Sequence, residues 1–147
     1  VVREDGKIAV FYKSNKKEYK LPGGGLEGEE EPEKAFKRET LEETGCEVKI
    51  IECLGITEEY KSLNNFKQIS YVFVAKVLND EKQLNLTEKE IDEAAKLLWE
   101  TPEKALELIT KSYSEIVASK YDSVYATKFV VLRDRKILES YLREVRG

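Results

Sequence analysis

Three carboxylates in the stretch Arg38-Glu39-Thr40-Leu41-Glu42-Glu43 stand at i, i+3 and i+4. In a helix turning about 100° per residue they share one face, and on this reading they converge on one point. Like charges held that close repel and raise one another's pKa, and a hard divalent cation relieves both effects. With oxygen donors only and no histidine in the chain, the pattern points to Mg2+ or Mn2+ rather than zinc. Just upstream, Leu21-Pro22-Gly23-Gly24-Gly25 lets the backbone approach a ligand without side-chain obstruction. A glycine carbonyl there is a candidate further metal donor. Arg38 is placed to fork onto a loop carboxylate such as Glu30, a bidentate geometry that lysine reproduces poorly.

Composition narrows what else this site can be. Without histidine, Ser-His-Asp catalysis, imidazole acid-base chemistry and His-ligated zinc are excluded, which leaves carboxylates, lysines, tyrosines or bound metal. A net charge of -4, with charged residues of both signs interspersed through 37% of the chain, argues against a surface for duplex nucleic acid. Small anionic ligands stay open if a metal or local groups receive them. The longest apolar runs, such as Phe129-Val130-Val131-Leu132, fall far short of the roughly 20 residues of a membrane-spanning helix. Cys46 and Cys53 fit neither a disulfide framework nor a structural zinc site. They read as reduced core thiols in a cytoplasmic protein.

The elements that must position the carboxylates follow from periodicity and turn chemistry. The 147 residues suit one domain, 1–147. Val1-Val2-Arg3 reads as the tail of a strand, consistent with a first strand that begins upstream. Lys7 to Lys13 is expected as a strand, Ser14 to Lys17 as a turn, and Glu18 to Leu21 as the returning strand of a hairpin. A helix is predicted to open with Pro32 near its first position and to close at Gly45 as a left-handed cap. Cys46 to Tyr60 and Gln68 to Leu78 are expected to pair as antiparallel strands across a turn at Ser62-Leu63-Asn64-Asn65. Thr87 to Glu90 has capping-box spacing, Ala94 to Glu100 reads as a strand containing Trp99, and Thr101-Pro102-Glu103 opens a helix through about Lys111. Residues 112–147 form a C-terminal helical region: Ser112 to Ala126 carries no clear periodicity, and Thr127 to Val145 reads as a helix whose apolar face, Leu138, Tyr141, Leu142 and Val145, would serve its own domain or a homodimer.

A surface helix rich in glutamate is ordinarily just a solvated face. Here the spacing runs Gly24, five residues, Glu30, seven residues, then Arg38-Glu39-Thr40-Leu41-Glu42-Glu43-Thr44-Gly45-Cys46. This resembles the Nudix box, with its usual Leu-Pro-Gly-Gly lead-in and a match at every fixed position. Thr40 and Cys46 depart mildly, filling apolar slots with a β-branched polar residue and a small hydrophobe. The order of flanking elements extends the resemblance to about Lys111.

The resemblance implies an α/β/α sandwich with a mixed β-sheet, here followed by a C-terminal helix. It also implies hydrolysis of a nucleoside diphosphate linked to another moiety, by attack of water on phosphorus. Carried over by position, Glu39, Glu42 and Glu43 would bind Mg2+ or Mn2+ with the Gly23 carbonyl, and Arg38 and Glu30 would complete the box. Family members differ over the general base. Glu39 is the first candidate, and Glu88, Glu90 and Glu93 are the candidates outside the box, each otherwise read as a solvated or capping residue. The expected partner is a small-molecule nucleotide: a nucleoside triphosphate of the MutT kind, ADP-ribose or another sugar nucleotide. The residues that mark ADP-ribose or dinucleoside-polyphosphate preference in relatives are not matched at Tyr60-Lys61-Ser62. Tyr60, Phe66 and Trp99 are candidates to stack on a base, though aromatics on strands more often pack in the core. The alternative is a catalytically silent Nudix-fold binding or regulatory module, and such modules typically lose box carboxylates that this chain keeps. Activity on RNA 5′ ends would need a basic surface, and the Arg133, Arg135, Lys136, Arg143 and Arg146 cluster is offset by Asp134, Glu139 and Glu144.

Overall fold

The structure is a computed structural model that describes residues 1–23, 30–61, 66–80 and 85–146, and within these it leaves undescribed the side chains of 57–61, 66–70 and 146. Strand β1 (Ile8–Lys13) turns back into β2 (Glu18–Lys20), with Lys17 at φ 55° completing the turn. Helix α1 (Pro32–Thr44) is followed by the long strands β3 (Glu47–Lys61) and β4 (Phe66–Asn79). A single helical turn α2 (Glu88–Asp92), strand β5 (Ala95–Glu100) and helices α3 (Pro102–Ser112) and α4 (Val124–Tyr141) complete the chain, and α4 runs on into a wider π turn, Leu142–Arg146.

The strands pair antiparallel as β2-β1-β5 and β3-β4. Val2 joins the two sets: it lies antiparallel to Ile8 and parallel to Lys76, its N–H donating to Ala75 O at 2.8 Å and its carbonyl accepting from Val77 N at 2.9 Å. The sheet is therefore mixed, and helices cover both of its faces. Alternation along β1 sends Ile8 and Val10 into one core with Ala105, Ile109, Ile116, Val131 and Leu138 from the α3–α4 side. Across the sheet, Cys46, Val48 and Ala75 pack with Phe36 of α1 and with Trp99. The Arg3 guanidinium lies 4.8 Å over the Trp99 ring, so this tryptophan belongs to the core rather than to a base-binding platform. The other two candidate stacking side chains, Tyr60 and Phe66, and the turn 62–65 lie outside the described residues.

Local signals place α1. Pro32 at its start lacks only an N–H that would be orphaned there, and Gly45, at φ 71°, closes the helix by donating to Leu41 O at 2.9 Å. The expected capping box is formed, with Thr87 Oγ1 accepting from Glu90 N and Glu90 Oε1 accepting from Thr87 N. The C-terminal helix begins three residues earlier than expected because Ser123 caps it, its Oγ accepting from Ala126 N at 3.1 Å. Ahead of it, the segment without periodicity is anchored by long-range contacts: Ile116 is buried in the core and Val117 N donates to Lys16 O at 2.9 Å. Leu138 and Tyr141, read as a face open to domain or dimer, are buried within the chain. Among the described residues no helix is long and apolar enough to cross a membrane.

The cysteines separate. Cys46 is fully buried, and burial pushes its thiol up. Cys53 is exposed, which corrects its reading as a core thiol. Register shifts between Ile50 and Glu52 and between Cys53 and Gly55 break the alternation of β3, so parity no longer predicts the face. A thiol reagent on the native protein is expected to modify one cysteine quickly, with the second reacting only on unfolding. Peptide mapping that finds Cys46 labelled first would contradict this packing.

Candidate active site

Helix α1 presents its carboxylates beside the end of β2, where the chain leaves the sheet at Leu21-Pro22-Gly23. Glu43 is only 5% exposed, and its Oε2 accepts the Gly23 N–H at 3.0 Å, which ties the glycine loop to the helix. Arg38 forks onto Glu30, Nε to Oε2 and Nη2 to Oε1, both at 2.9 Å. Its Nη1 also lies 3.0 Å from Glu39 Oε1 and 3.4 Å from Glu42 Oε2. The guanidinium thus stands between three carboxylates of the box. Residues 24–29, including Gly24 and Gly25, lie outside the described residues.

These contacts correct one expectation. Glu39, Glu42 and Glu43 do lie along one stretch of helix, but among the described residues they are not drawn together into a group placed to hold one metal ion. Helical period sets only the direction of the Cα–Cβ bonds; partners set where the carboxylates end, and Gly23 draws Glu43 one way while Arg38 draws Glu39 and Glu42 another. Electrostatics still favour a cation here. Burial, with Glu90 and Glu39 adding to it and Lys20 and the Gly23 N–H opposing, pushes the Glu43 carboxyl up to about 8. An oxygen-only donor set on one helix and one loop, with a carboxylate whose charge burial first and neighbouring carboxylates second disfavour, fits a hard divalent ion.

The three candidate bases outside the box have different surroundings. Glu88 is exposed at the start of α2. Glu90 closes the capping box and is near enough to Glu43 to affect its charge. Glu93 is not a solvated residue: it is 1% exposed, accepting from Lys13 Nζ at 2.9 Å and Ser119 Oγ at 2.8 Å. Those bonds hold its carboxylate in a buried ion-pair cluster and leave it ill placed to take a proton from water. The loop before α2 is hung on the end of α1 by Asn85 N donating to Glu42 O at 2.7 Å.

Glu39 lines a cavity of about 560 Å3, within the range that takes a nucleotide-sized ligand. Its wall is apolar and aromatic through Phe36, Leu54, Tyr71 and Phe73, and among the described residues its charged side chains are Lys20, Glu39, Arg133 and Asp134. Spacing does not single out Lys20, Tyr71 or Asp134. Lys20 is next to the Leu-Pro-Gly lead-in, the one local signal that could have flagged it. Three members of the tail's basic cluster are offset as expected, Arg133 by Asp134, Arg135 by Glu139 at 2.8 Å, and Arg143 by Glu144 at 3.6 Å.

Arg38→Lys keeps the charge but cannot span both oxygens of Glu30. It is expected to lower stability by about 1–2 kcal/mol, read as a lower urea midpoint. An unchanged midpoint would show that the fork does not hold the loop.

A family model described as NUDIX domain matches residues 1–119. A MutT-like protein from Streptomyces ambofaciens is 32% identical over 114 residues, covering 78% of this chain and 68% of that protein. The Homo sapiens diphosphoinositol polyphosphate phosphohydrolase NUDT4B is 32% identical over 101 residues, 65% of this chain and 56% of its own length. The chain thus spans about two thirds of the first relative and little more than half of the second. Among solved structures, a NUDIX hydrolase from Nitrosomonas europaea superposes with a TM-score of 0.64 at 17% identity, covering 97% of this chain and 84% of that one, a likeness of fold.

Proposed function

We propose, from the premise that this chain belongs to the Nudix family of hydrolases, that it cleaves the pyrophosphate bond of a nucleoside diphosphate linked to another moiety, with Mg2+ or Mn2+ as cofactor. One observation carries the reading: a glycine loop tied to Glu43, on the helix that also bears Glu39 and Glu42, stands beside a cavity of nucleotide size into which Glu39 opens.

Glu39, Glu42 and Glu43, with the Gly23 carbonyl, would hold the metal. When bound, such an ion neutralises the diphosphate and lowers the pKa of water. Arg38, braced by Glu30, keeps the loop and the helix in register and screens the carboxylates from one another. Glu39, at the cavity wall, takes the proton of the attacking water. Lys20, also at the wall, supplies positive charge toward the phosphates. The aromatic wall excludes water and packs against a flat, weakly polar group.

That wall also bears on the substrate. Several relatives are named as diphosphoinositol polyphosphate phosphohydrolases, and a solved structural neighbour as a UDP-X diphosphatase. A polyphosphorylated inositol needs many cations around it, whereas among the described residues the basic side chains lining this cavity are Lys20 and Arg133, the latter already bonded to Asp134. The lining favours a nucleobase. The test is a hydrolysis screen with Mg2+ across nucleoside triphosphates, ADP-ribose, other sugar nucleotides, dinucleoside polyphosphates and a diphosphoinositol polyphosphate. Turnover within a nucleotide class is expected; turnover of the inositol compound alone would overturn the substrate reading. Nucleotide binding with no turnover on any compound would point to a silent binding module.

A further inference from the structure

Asp134 lies in the middle of α4, beyond the residues that the family model matches, and is fully buried. A buried aspartate is costly unless both oxygens are bonded, and here they are. Oδ1 accepts from Arg133 Nε, with Arg133 Nη2 also at 3.0 Å from it, and Oδ2 accepts the Leu21 N–H at 2.9 Å. The second bond reaches across 113 positions of sequence to the last residue before the Pro22-Gly23 lead-in. An apolar side chain would suffice merely to pack α4 on the sheet, as Val131 and Leu138 do.

The position of the Leu21 amide gives the bond its consequence. Two residues on, the Gly23 N–H is held by Glu43. Between these two clamps the proline ring fixes one backbone torsion, so few rotations remain free. The segment is pinned at one end by the C-terminal helix and at the other by the box helix, and the Gly23 carbonyl is carried between them and residues 24–29. Without the Leu21 clamp the lead-in would keep, of the two, only the Gly23 bond to Glu43.

We propose that Asp134 is a positioning residue for the candidate metal site: by accepting the Leu21 N–H from α4 it fixes the Pro22-Gly23 segment against Glu43, and so sets where the Gly23 carbonyl stands. The proposal rests on the metal-site reading given above. It makes the C-terminal helix part of the active-site framework, not only a cover over the sheet. Asp134 touches neither metal nor substrate in this role. Arg133 bonds the other carboxylate oxygen and shares the cavity wall with it.

The test uses the full chain and variants Asp134→Ala and Asp134→Asn, each checked for cooperative unfolding. Mn2+ binding is followed by electron paramagnetic resonance, alongside kcat and KM on the substrate found by the screen. Asp134→Ala is expected to bind Mn2+ about 10- to 100-fold more weakly and to lose kcat more than KM. Asp134→Asn, which keeps an acceptor for the Leu21 N–H, is expected to recover most of the affinity. In the wild-type chain the Leu21 amide should exchange as slowly as the core amides of β1, a measurement that stands even if Asp134→Ala does not fold. Wild-type Mn2+ affinity and kcat in a folded Asp134→Ala, equal impairment of the two variants, or a fast-exchanging Leu21 amide would each overturn the positioning role. A wild-type chain that binds no Mn2+ would instead overturn the metal-site reading, and the positioning role with it.

Discussion

Glu43→Gln is expected to lower Mg2+-dependent turnover by about 10²- to 10³-fold while leaving the protein folded and, without divalent cation at neutral pH, at least as stable as the wild type. The two halves have one cause. Glu43 is buried beside Glu39 and Glu90, and burial first, then those charges, raise its pKa to about 8. Between the unfolded value of 4.5 and that folded value the native state holds a proton that the unfolded state does not. Stability therefore falls with rising pH across that window, and a neutral glutamine of the same shape removes the dependence. The carboxylate is kept at a cost to the fold, as expected of a group whose charge is needed by a ligand. Urea midpoints from pH 5 to 8 with and without Mg2+, set beside turnover, check both halves. Added Mg2+ should raise the wild-type midpoint and leave the variant unmoved. If folded Glu42→Gln and Glu43→Gln variants kept full Mg2+-dependent activity, the site assignment would be wrong.

What could be read from the chain beforehand divides by the range of the interaction. The limits of α1, set by Pro32 and Gly45, and the capping box of Thr87 and Glu90 depend on residues within one turn of each other, so spacing shows them. The Arg38–Glu30 fork is nearly as local. The family resemblance implies the mixed sheet; Val2, bonded to both β1 and β4, is what makes it mixed. Parity fails where β3 bulges, and with it the placement of Cys53, because a bulge inserts a residue without an obvious marker. The face of the helix that carries the carboxylates was readable, but not where each carboxylate ends, since that depends on Gly23 and Arg38 together. Asp134 and Glu93 look like ordinary charges of a charged chain. Only contacts across most of its length show that both are buried.

Glu93 therefore bears the second large effect: Glu93→Gln is expected to destabilise the fold by about 3 kcal/mol at pH 7, toward the low end for a broken buried pair because glutamine still offers Lys13 an acceptor. That is a large part of an ordinary domain's stability of about 5–15 kcal/mol. The reason is the company it keeps. Lys13, Lys16 and Lys89 face Glu18, Glu93 and Asp122 where the β1–β2 turn meets α2 and the segment before α4, and Lys13, Lys16, Glu18 and Glu93 are all buried. Burial and Lys20 press the Lys13 ammonium down against the pull of Glu93, but an Nζ 2.9 Å from a carboxylate oxygen keeps this an ion pair. Burial would raise the Glu93 carboxyl; the bonds from Lys13 and Ser119 and the charge of Lys16 outweigh it and hold the group below its usual range. A lowered carboxylate contributes stability that is fully present above its unfolded pKa of 4.5 and is lost as pH falls through the folded value. Asp122, lowered in the same way, acts in both proteins and cancels from their difference. The gap between wild type and Glu93→Gln should thus be constant from neutral pH down to about 4.5 and close below it, where a protonated glutamate and a glutamine are nearly the same group. Urea unfolding of both proteins at a series of pH values reads the gap directly. A gap that stays open in acid would mean that Glu93 acts through its shape and its bond to Ser119 rather than through charge.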